Sequence, residues 1–507
     1  MWPRFTLDDV RIIGHYLGSL ILASSVIYVI TFVTAVVFFE WDAAARYLFT
    51  IGLCLVVGGG MRFLRVEPGR LSRQQALAIT GIAWIALALV SSVPLFLSGH
   101  YATYLDALFD GVSGFTTTGA TIMSDLNHLS HADNMQRFLS QLVGGVGVIV
   151  IALSLGIFGK RAGASLYTSE GRSEHVVPNV VQTTRFIARI TAVIIIVGAA
   201  VIFAIMLMVG LEPARAALHA LWLSMSSFTT SGFTPTTMSI MYYHSFPLEL
   251  VVMVLMLLGT INFVMHSEIW KGRLSTFFRD LETRTLIVWV VVMTFIFAAS
   301  LASSGAFSDL PAMLRRGLFM VVSALSTTGF QNVTTNELTT VFASGALLVL
   351  AIIMAVGGSA GSTSGGIKLM RVGVMFKSIV SAIKETLSPD TACVTVTYNH
   401  VGRRQLSPGI VKEAMSVFML FVVTYAIGAL AGIAFGYDAT QAIFESVSMA
   451  SNGGITLGIV SPGMPMPLEL VYIFQMWAGR LEFVTLLALL TKIVVSLVPR
   501  KRANAAA

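Results

Sequence analysis

Four fifteen-residue segments that lie over one another without a gap constrain this chain more than anything else in it. They read ALFDGVSGFTTTGAT (107–121), ALWLSMSSFTTSGFT (220–234), GLFMVVSALSTTGFQ (317–331) and AIFESVSMASNGGIT (442–456). Each carries an aromatic at its third position (Phe109, Trp222, Phe319, Phe444) and a serine at its seventh (Ser113, Ser226, Ser323, Ser448). Each carries a glycine at its thirteenth: Gly119, Gly232, Gly329 and Gly454. Small residues alone fit tight helix packing, but packing does not account for one register kept in four copies. Repetition of this kind means one supersecondary unit used four times.

What surrounds the segments is apolar. Of 507 residues 56% are hydrophobic and 11% charged, against roughly 25% charged in soluble domains. A soluble globular protein and a disordered one are both excluded. Apolar runs predict spans near 11–39, 44–61, 74–98, 137–158, 186–210, 247–270, 284–303, 340–356 with a continuation to about 383, 411–435 and 467–497. The run from Ile12 to Phe39 is longer than a signal-peptide core and is expected to stay as a helix. The expected fold class is an all-α polytopic membrane protein. It comprises an N-terminal two-helix hairpin (1–70) and four pseudo-fourfold span–pore-loop–span repeats at 71–172, 173–280, 281–400 and 401–507.

The net charge of +7 is a topology signal before it is anything else. Basic residues cluster at Arg62, Arg65, Arg70 and Arg73; at Lys160, Arg161 and Arg172; at Lys271, Arg273, Arg279 and Arg284; at Lys377, Lys384, Arg403, Arg404 and Lys412; and at Arg500, Lys501 and Arg502. The intervening loops are poor in them, Arg315 and Arg316 excepted, so both termini are expected in the cytoplasm. No nucleic-acid partner is implied; the lipid bilayer is. Cys54 and Cys393 are too far apart in sequence to suggest a disulfide framework or a metal site.

The front of each segment reads as a short helix. Pro213 and Pro311 suit a first helical position, and Thr103 with Asp106, like Asp438 with Gln441, reads as a capping box. About a dozen residues at ~1.5 Å each cannot cross a ~30 Å core, so each helix dips in and a polar strand returns. Non-helical backbone at that depth must be buried or line water. Four such strands around an axis can replace the hydration shell of a cation with backbone carbonyls. The helix C-termini, partly negative, favour the same charge. The strands are Thr117, Thr118 and Gly119; Thr230, Ser231 and Gly232; Thr327, Thr328 and Gly329; and Asn452, Gly453 and Gly454. The fourth lacks the Thr-Thr pair, and its two glycines leave its register open by one residue.

This arrangement resembles the Trk/Ktr/HKT superfamily of potassium transporters over about residues 11–498, and the N-terminal hairpin resembles its TrkH branch. The resemblance implies potassium uptake across a bacterial plasma (inner) membrane, with potassium as the transported substrate and no further cofactor. Glycine in all four copies, Gly119 included, matches the potassium-selective members. It also implies a homodimer and a separate cytosolic nucleotide-binding regulatory subunit, TrkA-like, docking on the basic inner face.

The second span of repeat three is interrupted by AVGGSAGSTSGGIKLMR (355–371). Its glycine spacing superficially suits a phosphate loop, but Ile367 stands where the lysine is needed, so nucleotide binding is rejected. The resemblance makes the segment an intramembrane gating loop: Gly357, Gly358, Ser359, Gly361, Ser362, Thr363, Gly365 and Gly366, with Lys368 at its inner edge. A flexible kink is the plainer reading. Arg480, inside an apolar run, would match the family's arginine against that loop, with loop carbonyls as partners; the plainer reading is a side chain snorkelling to the cytoplasm. Glu482 is expected on a different helix face. Asn262 is expected near the cavity or bonding between helices. His128 and His131 have no clustered acidic partner and are expected to be solvated rather than metal-binding. The stretch Asp106–Asp110 either draws cations to the outer mouth or, for Asp106, caps the helix.

Two other readings are open to this sequence. A potassium/proton or potassium/sodium symporter on the same fold would need a carboxylate on the path, and the filter segments are expected to offer none. An intramembrane enzyme would need a nucleophile–base pair or a metal cluster; no HExxH occurs, and no enzyme activity is expected.

Overall fold

The computed structural model describes residues 4–64, 71–147, 180–304, 309–389 and 394–497. The far part of the span expected at 137–158 lies outside them, as do Arg65, Arg70, Lys160, Arg161, Arg172, Cys393, Arg500, Lys501 and Arg502. The described elements are helices, apart from one antiparallel pair of three-residue strands, Thr397–Asn399 with Arg403–Gln405. Among the described residues, six helices are long and apolar enough to cross a bilayer: Leu7–Val37, Trp41–Arg62, Gln74–Phe96, Gln182–Val209, Leu281–Ser303 and Pro408–Ala434. The protein is an all-α polytopic membrane protein.

The N-terminal hairpin packs on itself through small residues. A Cβ on Gly18 would meet the Gly58 carbonyl oxygen at 2.7 Å, and one on Gly58 would meet the Gly18 oxygen at 2.9 Å. Glycine at both positions is what lets the two backbones cross this closely. The hairpin is then moored to the first repeat by charge. Arg46 donates from both terminal nitrogens to the two oxygens of buried Asp133, each at 3.0 Å, and to the Pro94 carbonyl at 2.8 Å. Glu40, in the hairpin turn, accepts from the His131 and Ala132 backbone N–H groups at the start of the helix His131–Val146.

Four short helices dip between spans: Tyr104–Thr116, Pro213–Phe228, Leu310–Ser326 and Ala439–Ala450. Their entries follow the local chemistry. Thr103 and Asp106 form a reciprocal capping box, and prolines stand in the first turn of the second and third. Asp438 caps the fourth through Thr440 and Gln441 N–H, so the cap is present there without the reciprocal glutamine bond being needed.

The second spans depart from the sequence expectation. Only the second span of repeat three is expected to be interrupted, and the structure divides it into Ser344–Val356 and Leu369–Leu387. The stretch expected as one span over 247–270 is two helices, Phe246–Thr260 and Phe263–Trp270, bent by 104°. The one expected over 467–497 stops at Arg480 and restarts at Val484, with Glu482 and Phe483 in left-handed conformations (φ 54° and 62°). Helix His131–Val146 likewise ends at Gly147, φ 104°. Hydropathy does not register these breaks because apolar residues flank them on both sides. Asn262 supplies the restart in repeat two, accepting from Val264 N at 2.8 Å as an N-cap.

Removing one partner of a buried ion pair costs about 3–5 kcal/mol because the other charge is left unpaired. Arg46→Met is therefore expected to lower the thermal unfolding midpoint of the purified protein clearly. A change equivalent to less than about 1 kcal/mol, the range of an exposed pair, would show that this contact does not hold the hairpin.

Candidate functional site

The four dipping helices end in the same way. Thr117, Thr230, Thr327 and Asn452, all at the eleventh position of the repeat, adopt left-handed conformations with φ of 57°, 49°, 54° and 57°. The next residue donates its N–H back to the carbonyl of the repeat serine: Thr118 to Ser113 (2.9 Å), Ser231 to Ser226 (3.0 Å), Thr328 to Ser323 (3.0 Å) and Gly453 to Ser448 (2.7 Å). The eleventh residue donates to the carbonyl three before it, at Gly114, Ser227, Ala324 and Met449. This pair of bonds is the Schellman closure of a helix C-terminus. Non-glycine residues in this conformation carry a cost of about 1–2 kcal/mol, offset here by satisfied peptide groups at a depth where water is scarce.

Two residues on, each glycine is also left-handed: Gly119, Gly232, Gly329 and Gly454, at φ 80°, 78°, 89° and 71°. Each presses on the next strand. An added Cβ would overlap the Ser231 carbonyl oxygen at Gly119, that of Thr328 at Gly232 and that of Thr118 at Gly454; at Gly329 it would meet the Gly453 oxygen at 2.6 Å. The contacts run one to two, two to three, three to four and four back to one. The four strands therefore form a closed ring, and side chains are excluded at these positions by both φ and space. The ring also fixes the register left open in the sequence: Gly454 takes the equivalent of Gly119, while a Cβ on Gly453 would face the Met354 side chain.

Hydroxyls pair along the strands, Thr116 with Thr118 (2.9 Å), Thr229 with Ser231 (2.7 Å) and Ser326 with Thr328 (2.6 Å). The fourth strand, with glycine in place of the second hydroxyl, reaches across instead: Asn452 Nδ2 donates to Thr118 Oγ1 at 3.0 Å. Ser231 also has its carbonyl engaged by Gln141 Nε2 at 2.8 Å.

Behind the ring the strands are pinned in two ways. In repeats two and three the repeat serine hydroxyl donates to the carbonyl just past the glycine, Ser226 to Phe233 (2.9 Å) and Ser323 to Phe330 (2.7 Å). In repeats one and four a buried carboxylate accepts from the outgoing strand. Asp110 takes Thr121 Oγ1 (2.6 Å), Ile122 N (3.0 Å) and Tyr101 OH (2.8 Å). Glu445 takes Thr456 Oγ1, Leu457 N (2.8 Å) and Ile459 N (3.2 Å). This corrects two expectations. The repeat segments do contain carboxylates, at matching fourth positions, and Asp110 is a buried strand anchor, not an open attractor at a mouth. Asp106 is the helix cap.

Beneath the ring the second spans of repeats two, three and four break, the helix His131–Val146 of repeat one ends, and these ends meet. The loop 357–368 touches those of repeats two and four and reaches that of repeat one through Arg480. On repeat two, Ser359 N donates to Thr260 O (3.1 Å), Thr363 N and Oγ1 donate to Gly259 O (3.2 and 2.9 Å), and Thr230 Oγ1 lies 3.1 Å from Thr363 Oγ1. On its own repeat, Gly365 N donates to Thr327 Oγ1 at 2.7 Å, directly below the third strand. On repeat four, a Cβ on Gly365 would overlap the Ser451 carbonyl. Repeat one is joined through Arg480, which donates to Thr363 O at 2.9 Å, Gly144 O at 2.7 Å and Gly145 O at 3.3 Å. Its guanidinium also lies 5.5 Å from the Trp84 ring centre. Arg480 is thus a bridge between carbonyls, not a snorkelling side chain.

The loop is built and not merely flexible. Gly357 and Gly366 are left-handed (φ 69° and 79°) and back onto one another, Gly358 O accepts from Leu369 N (2.9 Å), and Ser362 Oγ donates to Ser359 O (2.6 Å). Gly361, φ 67°, lies against the Asn262 side chain, so Asn262 both caps its helix and backs the loop. Lys368, at the end of the loop, is buried, with Nζ on the Ser364 carbonyl of its own loop. Glu482 is not on a helix face at all. The break at 481–483 turns it to Arg371, with which it forms an ion pair.

Elsewhere, the His128 side chain is exposed and that of His131 partly so, each beside a single carboxylate, Asp125 at 2.6 Å and Glu40 at 2.8 Å. They belong to two separate pairs, and the His131 ring stacks on Phe38. The basic exceptions are balanced as well, Arg315 by Glu249 and Arg316 by Glu337.

Known proteins share this design. A family model described as "TrkH: Cation transport protein" matches residues 44–496. An uncharacterized cation transporter of Methanocaldococcus jannaschii is 30% identical over 488 residues, 96% of each chain. The Trk system potassium uptake protein TrkH of Escherichia coli K12 is 28% identical, over 95% of this chain and 98% of its own. The crystal structure of the potassium transporter TrkH from Vibrio parahaemolyticus superposes with a TM-score of 0.82 at 24% identity, covering 96% of this chain and 99% of that one. With a matched model spanning most of its length and a relative of this identity over nearly all of it, the chain belongs to the TrkH family of cation transport proteins.

Proposed function

We propose that this protein takes up potassium across a bacterial inner membrane, through a pore on the axis of the four strands. The observation that carries the reading is the closed ring of left-handed glycines at which four helix C-termini converge. Carbonyls of Thr117–Gly119, Thr230–Gly232, Thr327–Gly329 and Asn452–Gly454 are the ligands in this reading, replacing water around a dehydrated cation. The partly negative helix ends favour positive charge at the same place. Potassium is supported as the ion by the function named for the Escherichia coli relative and by glycine in every copy.

Transport is driven by the membrane potential, which supplies ~2.3 kcal/mol per charge per 100 mV. Coupling to protons or sodium is disfavoured because Asp110 and Glu445 are engaged in holding strands. The loop 357–368 is the gate, seated under the ring and latched by Arg480. Both termini and the basic loops face the cytoplasm. Two copies form a homodimer, and a TrkA-like nucleotide-binding subunit docks on that face.

The decisive experiment is rubidium uptake into proteoliposomes with a negative interior and no sodium or proton gradient. Uptake competed by potassium and not by sodium is expected; uptake that requires either gradient would replace this reading with a symporter.

Two substitutions probe the parts. Gly329→Ser places a side chain where both φ and the Gly453 carbonyl exclude one, so potassium-over-sodium discrimination is expected to fall about tenfold or more, the equivalent of ~1.4 kcal/mol. Unchanged discrimination in a folded variant would remove the strands from the filter role. Arg480→Ala releases three carbonyls from their shared donor, and uptake is expected to rise several-fold at equal expression. A folded variant with unaltered uptake would show that the latch does not limit flux.

A further inference from the structure

Below the loop, three side chains that the transport reading does not use come together. Asp280 and Glu282 flank the start of helix Leu281–Ser304, and His400 lies in the turn between the two short strands, 120 residues away. All three are at most 2% exposed. Their ligating atoms lie within 4.8 Å of one another, and the His400 Nδ1 is 3.0 Å from Asp280 Oδ2. Asp280 Oδ1 is held by Glu282 N at 2.9 Å, which fixes the two carboxylates side by side.

Burying two carboxylates beside an imidazole is costly unless positive charge joins them. Lys368 is within electrostatic reach of Glu282 from the loop side. The imidazole, when neutral, brings a lone pair and no charge. Two carboxylate oxygens and one imidazole nitrogen form a mixed donor set suited to zinc-class divalent cations, which bind such ligands at about 2.0–2.2 Å. Ligands at that radius stand roughly 3–4 Å apart around a tetrahedral ion, so the cluster needs only a small contraction to close on one. Three protein ligands leave the fourth position to water.

We propose that Asp280, Glu282 and His400 form a binding site for a zinc-class divalent cation, joining the strand hairpin 397–405 to the foot of repeat three. The site has a direct line to the loop. Glu282 Oε1 accepts from the Ala360 backbone N–H at 2.6 Å. An ion held by the carboxylate fixes that acceptor, and with it the loop in the position described above. Binding is independent of the transport reading; its effect on flux rests on it, and the predicted direction is inhibition.

The test begins with binding. Tag-free protein stripped with chelator is titrated with Zn²⁺ by calorimetry, and zinc-edge X-ray absorption is recorded on the loaded wild type. One ion per chain at micromolar affinity or tighter is expected, with a shell of one imidazole and oxygens. Affinity is expected to drop at least tenfold in His400→Ala and in Asp280→Asn, and to be kept in His128→Ala, which removes an exposed histidine instead. Absence of stoichiometric binding, several imidazoles in the shell, or affinity untouched by His400→Ala each overturn the site. Because the absorption spectrum is read on wild type, a variant that fails to fold does not decide the matter. Rubidium uptake is then compared with and without zinc. Several-fold inhibition in wild type that is lost in His400→Ala supports the link to the loop, and unchanged uptake with zinc bound overturns that link. Protein that binds zinc but moves no rubidium counts against the transport reading and leaves the site standing.

Discussion

A peptide group without a partner inside a bilayer costs several kcal/mol, and this structure is organised around places where the chain accepts that problem and solves it. Four helices stop at mid-depth, and each exposes carbonyls that a continuing helix would have satisfied. The Schellman closures at Thr117, Thr230, Thr327 and Asn452 settle the first of these groups within a single turn. The remaining backbone is then free to face neighbouring strands, and the ring is the outcome.

The breaks in the second spans pose the same problem a few ångströms lower. Gly144, Gly259 and Gly479 each press against the carbonyl at the ninth position of their own repeat, at Phe115, Phe228 and Ala450, so no side chain fits between the span and the helix end. The spans then stop, and their last carbonyls are collected by donors from elsewhere: Ser359 and Thr363 for repeat two, Arg480 for repeat one. Arginine suits this position because its planar fork offers several donors and remains charged. One guanidinium thereby satisfies backbone groups from two repeats and belongs to a third.

Much of this was legible in the sequence, for reasons that differ by residue. The fourfold register made the dipping helices and the four glycines visible, because close backbone approach leaves glycine little substitute. Arg480 stood out as a charge in an apolar run, and the loop 357–366 as glycine and serine in another. The breaks at 261–262 and 481–483 did not stand out, since they interrupt runs that are apolar throughout and depend on cross-repeat hydrogen bonds. The partnership of Glu482 with Arg371 followed from the second break and was hidden with it. The anchoring of the strands by Asp110 and Glu445 had a signal that was available: both occupy the fourth position of their segment, where the other two copies hold Leu223 and Met320. The cluster of Asp280, Glu282 and His400 had none, because it is assembled across 120 residues by the strand hairpin.

The two kinds of strand anchor divide the ring unevenly. Behind the glycines, repeats four and one, neighbours in the ring, each have a buried carboxylate gripping several donors, while repeats two and three, also neighbours, each have one serine hydroxyl on the outgoing carbonyl. The ring is therefore anchored by more hydrogen bonds behind one half of its circumference than behind the other. The loop hydrogen-bonds to the less anchored half, through Thr230 and Thr327, and packs on the other half at Ser451. A fourfold pattern in sequence thus becomes, in its anchoring, two unequal halves facing one another.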